Sequence, residues 1–150
     1  MESFCIDDNK IFMAKLLKGE CFDEFEVREI VLHTAVKSII EGKRNLEFFE
    51  RDNRESLSEF ISWQELKPYV YSLVAGKTLP TFFKIIFSTS PSKTLEISTE
   101  VSAFMLNITY KDNEIICTTG CAYKTFLLDK TPEQLWDNQV KNFLFEQKFI

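Results

Sequence analysis

Histidine is nearly missing from this sequence: His33 is the only one in 150 residues. That removes every metal motif built on two imidazoles and every acid–base relay that uses a histidine pair. Basic excess is missing too, since Lys and Arg total 18 against 23 Asp and Glu, a formal charge of −5. No global positive field exists to concentrate nucleic acid or anionic lipid. Apolar runs such as Thr81-Phe82-Phe83 and Ile115-Ile116-Cys117 are far shorter than the ~20 residues a membrane-spanning helix needs. Glu2, Asp7 and Asp8 stand where a secretory signal would place basic residues, so an unexported, cytoplasmic chain without membrane contact is the expectation.

Cysteine is modest, at four: Cys5, Cys21, Cys117 and Cys121. Without an export signal these are expected to be reduced thiols, and the sequon Asn107-Ile108-Thr109 is then chance. Cys117 and Cys121 have no second close Cys or His pair to complete a zinc site. All four read as small buried apolar residues, and neither a metal nor a cofactor is expected.

What is abundant is oily surface: 45% of residues are hydrophobic, 14% aromatic, with 15 phenylalanines. These run from Phe4 to Phe149 without a Pro/Gly/Ser-rich linker, which predicts a single globular domain over 1–150. Only 50–59 looks exposed, a loop joining two halves.

A first helix is signalled by Asp8 or Asn9 as N-cap, by Ile11, Phe12, Met13, Leu16 and Leu17, and by Gly19 as its stop. Ile30, Leu32, Val36 and Ile40 recur at even spacing within 25–40, predicting one long or two shorter strands. Glu41-Gly42-Lys43-Arg44 turns the chain into 46–49, a further strand of an antiparallel meander. Ser62-Trp63-Gln64-Glu65 has capping-box spacing, with Leu66, Val70, Leu73 and Val74 following on the Trp63 face. Pro68 predicts a kink there, or a helix that begins near Lys67. Gly76 and Pro80 end it. Strands are then expected at 82–88, 101–110, 114–118 and 122–128, joined by Lys111-Asp112-Asn113 and by Thr119-Gly120.

Thr131-Pro132-Glu133-Gln134 opens a last helix with Thr131 as cap and Pro132 at the first helical position. Trp136, Val140, Phe143 and Leu144 share one of its faces, while Leu135, Phe145 and Phe149 project from a second. A helix wedged between the sheet and another helix accounts for both faces. The alternative makes Leu135, Phe145 and Phe149 the candidate contact residues for a protein partner or a homodimer.

Chemical motifs are scarce. Gly76-Lys77-Thr78 has the tail of a phosphate-binding loop, but Tyr71 stands where the loop requires glycine. His33 lies in a predicted strand with no nucleophile elbow elsewhere, and the carboxylates of Glu47, Glu50 and Glu55 read as a solvated face. No dinucleotide fingerprint occurs, so no catalytic residue is assigned. Phe82-Phe83-Lys84, Tyr110-Lys111 and Tyr123-Lys124 are the only aromatic–basic pairings of the kind that stack on nucleic acid.

Trp63-Gln64-Glu65-Leu66-Lys67-Pro68, Gly76-Lys77, Pro80, Phe83-Lys84-Ile85, Cys117-Thr118-Thr119-Gly120, Phe126 and Trp136 together resemble a family of short uncharacterised proteins of clostridia-type Gram-positive bacteria, a domain of unknown function. The resemblance runs from Phe12 onward and implies a cytosolic bacterial protein with no assigned activity. The residues themselves predict an α+β fold, a mostly antiparallel sheet with about three packed helices in two helix-plus-strands halves. A core without a catalytic inventory suits a non-catalytic binding or assembly module. The alternatives are a sliding-clamp-like or nucleic-acid-associated module, whose topology the helix–strand order resembles, and a small enzyme or ligand-binding domain with a dispersed site.

Overall fold

The structure is a computed structural model that describes residues 1–150. Its elements are β1 (Ser3–Cys5), α1 (Asn9–Lys18), β2 (Glu26–His33), β3 (Lys37–Glu41), α2 (Trp63–Val74), β4 (Phe82–Ser88), α3 (Pro91–Ile97), β5 (Val101–Lys111), β6 (Glu114–Tyr123) and α4 (Thr131–Glu146). Short 3-10 turns at Leu46–Phe48 and Arg51–Ser56 separate β3 from α2. The six strands form one antiparallel sheet, ordered β1-β6-β5-β4-β2-β3. The α+β class agrees with the sequence, but four α-helices are present instead of three, and both halves feed the same sheet.

Local chemistry explains most boundaries. The Asp8 carboxylate accepts the Lys10 and Ile11 amides at 3.0 and 3.2 Å and starts α1. At α2 the Glu65 amide donates to Ser62 Oγ, and the Ser62 amide donates back to the Glu65 carboxylate at 3.0 Å. This reciprocal cap sets the helix start at Trp63, so Pro68 lies inside α2 and does not delay it. Proline there removes the bond to the Gln64 carbonyl, and Gln64 is exposed, so water can satisfy that oxygen. Asp112 and Asn113 both adopt positive φ, 50° and 65°, the geometry of a two-residue hairpin turn between β5 and β6.

Four expectations are corrected. Residues 46–49 form a 3-10 turn and no meander strand, because after β3 the chain leaves the sheet at Gly42. A Cβ on Gly42 would stand 1.7 Å from the Val27 carbonyl oxygen, so only glycine passes there. Thr119-Gly120 is not a break: both pair with β5, opposite Leu106 and Met105, and β6 runs on to Tyr123 before Phe126 and Leu128 leave the sheet. At α4 Thr131 is the first helical residue and not the cap: Lys130 holds the cap position without a side-chain cap bond, and the preceding Asp129 carboxylate accepts the Thr131 amide at 2.9 Å and its hydroxyl at 2.6 Å. Finally, β1 and α3 had no counterpart in the sequence reading.

Twenty-three buried hydrophobic residues form one contiguous cluster between the sheet and the helices. Both tryptophans anchor it with their ring N–H satisfied: Trp63 Nε1 donates to the Leu16 carbonyl at 2.9 Å, and Trp136 Nε1 donates to the Met105 carbonyl at 2.8 Å. Phe22, in the turn after α1, stands at its centre with ring centroids of Phe12, Phe87, Phe143 and Phe149 at 5.4–5.9 Å. The strands contribute to this cluster from one face only: buried Ile30 and Leu32 stand opposite Ile85 and Phe83, Ile85 opposite Ile108, Ile108 opposite Cys117, Phe87 opposite Leu106, and Ile115 opposite the partly buried Tyr110.

Candidate functional site

The α4 residues do not form one surface. Phe149 is 1% exposed, since the helix ends at Glu146 and a left-handed Lys148 (φ 62°) turns the chain back, placing the ring 4.8 Å from Phe12. Phe149 therefore belongs to the core and not to a contact face. Leu135 and Phe145 are 46% and 69% exposed. Ten residues of helix place them about 15 Å apart and roughly 80° apart in azimuth, with exposed Asn138, Gln139 and Asn142 nearby. They are two isolated apolar side chains, not a patch.

The titratable groups are equally scattered. His33 ends β2, its ring 5.0 Å from that of Phe82, and its imidazole makes no hydrogen bond within the chain. Cys117 is buried in the core, and desolvation pushes its thiol up to about 12. Cys21 and Cys121 are half-buried and raised, first by the same cause. Cys5 is exposed at the sheet edge. No three His, Cys, Asp or Glu side chains are gathered as a metal would require.

A cavity of about 310 Å³ opens between the turn after α1, the start of α3 and α4, walled by Phe25, Trp136 and Phe143 with Cys21, Thr89 and Ser90. Its hydroxyls are already engaged. Thr89 and Thr94 share a hydrogen bond of 2.6 Å, and Ser90 Oγ accepts the Lys93 amide at the α3 cap. Lys93 pairs with Glu96 at 3.5 Å, which leaves Glu24 and Gln139, both exposed, as the lining side chains with unengaged polar groups. With its thiol held protonated and no imidazole present, Cys21 lacks the partner nucleophilic catalysis needs.

The opposite face of the sheet is different, because no helix covers it. Cross-strand pairing sorts its side chains into three rows. The outer row reads Glu114, Lys111, Phe82, His33, Lys37 from β6 through β5, β4 and β2 to β3. The middle row, from β1 to β3, reads Cys5, Ile116, Thr109, Lys84, Val31, Ile39. The inner row reads Ser3, Thr118, Asn107, Ile86, Glu29, Glu41. Beyond it, Arg28 donates to Ser88 at 2.9 Å and lies 3.8 Å from the Phe60 ring, which closes that end.

Three features distinguish this face. Its apolar members Val31, Ile39, Ile86, Phe82 and Ile116 retain solvent contact, Ile39 to 68%. Its charges balance, with Lys37, Lys84 and Lys111 against Glu29, Glu41 and Glu114, and only Lys84 and Glu29 meet within the chain, at 3.6 Å. Its centre also holds Asn107, whose amide oxygen is the one buried side-chain polar atom lacking a hydrogen-bond partner. Sequence reading missed the face because its signal is the second half of each alternation. Val31 and Ile86 interrupt runs of core residues and read as core themselves.

Comparison with known proteins adds a family and no activity. A model describing a family of unknown function, DUF5721, matches residues 15–150. No curated protein and no solved structure matches.

Proposed function

The chain belongs to this family of unknown function, DUF5721, and from that premise we propose that it is a non-catalytic assembly module whose working surface is the open face of the sheet. The observation that carries this reading is a charge-balanced sheet face with no helix over it, on which Cys5, Val31, Ile39, Phe82, Ile86 and Ile116 make six of seventeen positions apolar, beside a second face used as core. Antiparallel sheets do present one face to water, but such a face is normally polar; here Ile39, Val31 and Ile86 occupy it. Equal numbers of lysines and glutamates argue for a protein contact over a nucleic-acid one, which needs a positive stripe.

Hydroxyl-radical footprinting tests the reading. In a native lysate, Phe82 of the outer row and Met105, which stands opposite Ser88 and Gly120 in the row next to the inner one, are expected to be protected several-fold relative to the dilute purified chain, while exposed Phe126 stays equally reactive. Unchanged reactivity of Phe82 and Met105, or protection confined to Leu135 and Phe145 on α4, overturns it.

A further inference from the structure

We propose that the open face is covered by a second copy of this chain, related by a two-fold axis that lies in the interface along the middle row, across the strands. This proposal rests on the assembly reading above and names its partner.

The argument begins with charge placement. A two-fold along the middle row keeps each strand opposite its own counterpart and exchanges the outer and inner rows. On β3, Lys37 of one copy then stands over Glu41 of the other, and on β2, His33 stands over Glu29. On β4, Phe82 covers Ile86, and on β5, Lys111 covers Asn107. Each juxtaposition occurs twice by symmetry. Lys37 and Glu41, which have no ion-pair partner within one chain, both acquire one. Rotation of the Asn107 amide turns its unpaired oxygen toward a lysine.

The middle row meets itself, which sets Ile39, Val31 and Ile116 of the two copies against each other. Lys84 also meets its own copy, and there each lysine carries Glu29 beside it at 3.6 Å. A two-fold along the strands is less favourable. It sets Glu29 and Glu41 against Thr118 and Ser3 and leaves Lys37 beyond the far end of the short β1.

Shape and size agree. A uniformly twisted sheet is a saddle, and a two-fold along one of its rows maps the saddle onto itself, so the two faces stay evenly spaced. Six strands and three rows span about 29 by 20 Å. With side-chain relief this approaches the ~800 Å² per partner of a standard stable interface.

Sedimentation equilibrium of the full chain over a concentration series is the test. Wild type is expected to be a dimer, and Ile39→Asp a monomer whose urea midpoint matches that of wild type diluted below its dimer dissociation constant, since that side chain is largely exposed in the single chain. Lys37→Glu and Glu41→Lys should each weaken self-association about tenfold by creating two like-charge contacts. An equimolar mixture of these two variants should recover wild-type affinity, because the mixed dimer restores opposite charges at both contacts. A dimer indifferent to Ile39→Asp, or a mixture that recovers nothing, overturns the proposal. A monomeric wild type overturns it as well; if Phe82 and Met105 are nevertheless protected in the lysate, the assembly reading stands with a different partner.

Discussion

The four thiols occupy four distinct environments, and burial rather than charge ranks them. Cys5 stands exposed on the edge strand β1. Desolvation raises Cys21 and Cys121, and it raises Cys117 furthest, to about 12. Only the thiolate attacks a disulfide reagent, so access and ionisation act in the same direction here. Native protein at pH 8, diluted until it is monomeric, is expected to titrate one thiol rapidly, which Cys5→Ser abolishes, then two more slowly; in the dimer Cys5 lies on the middle row under the second copy and slows as well. Cys117 should react only at the rate of global opening, measured against a denatured control. Rapid labelling of Cys117 in the native state would mean that the β6 side of the core is open.

At the scale of elements, one arginine ties a long irregular stretch to a helix start. Arg44 donates to both Glu65 oxygens at 3.0 Å and also holds the Ser58 carbonyl and hydroxyl at 3.0 Å. The guanidinium bonds, followed by those from Ser62, hold the Glu65 carboxyl down at about 2 against an ordinary 4.5. A lowered folded pKa contributes stability that is present above pH 4.5 and is lost as pH falls toward 2. Glu65 is half-exposed, so solvent screening keeps the contribution to about 1 kcal/mol. Urea midpoints of wild type and Glu65→Gln should therefore differ at pH 6 and converge near pH 2; a constant gap would assign the difference to the cap alone. The same region shows why legibility was uneven. The box at Ser62 and Glu65 is local, four consecutive residues satisfying their own backbone, and it was readable without any tertiary knowledge. The 3-10 turn at 46–48 was not, because Leu46, Phe48 and Phe49 look like strand residues and only the missing ladder partner decides otherwise. The start of α3 at Ser90-Pro91 carried a usable cap-and-proline signal that a search for longer helices passes over.

For the whole molecule the decisive contacts join the two ends of the chain. Strand β1 pairs with β6, the Asp7 amide donates to the Phe149 carbonyl at 2.9 Å, and Lys15 Nζ donates to the Gln147 carbonyl at 2.8 Å. None of this was legible, since a helical wheel continued past Glu146 places Phe149 near Phe145 and hides the turn at Lys148. The open face was hidden for a related reason: which half of each alternation points away from the helices depends on how all six strands align. The two terminal rings give the sharpest measurement of this closure. Phe149 packs against Phe12, Phe22 and Phe143, so Phe149→Ala leaves a large cavity and should cost about 3–5 kcal/mol. Phe145 is mostly exposed, so Phe145→Ala should stay within about 0.5 kcal/mol. Urea denaturation of both variants at one pH and one protein concentration checks the pair. Equal losses would place both aromatic rings on one surface and remove the C-terminal segment from the core.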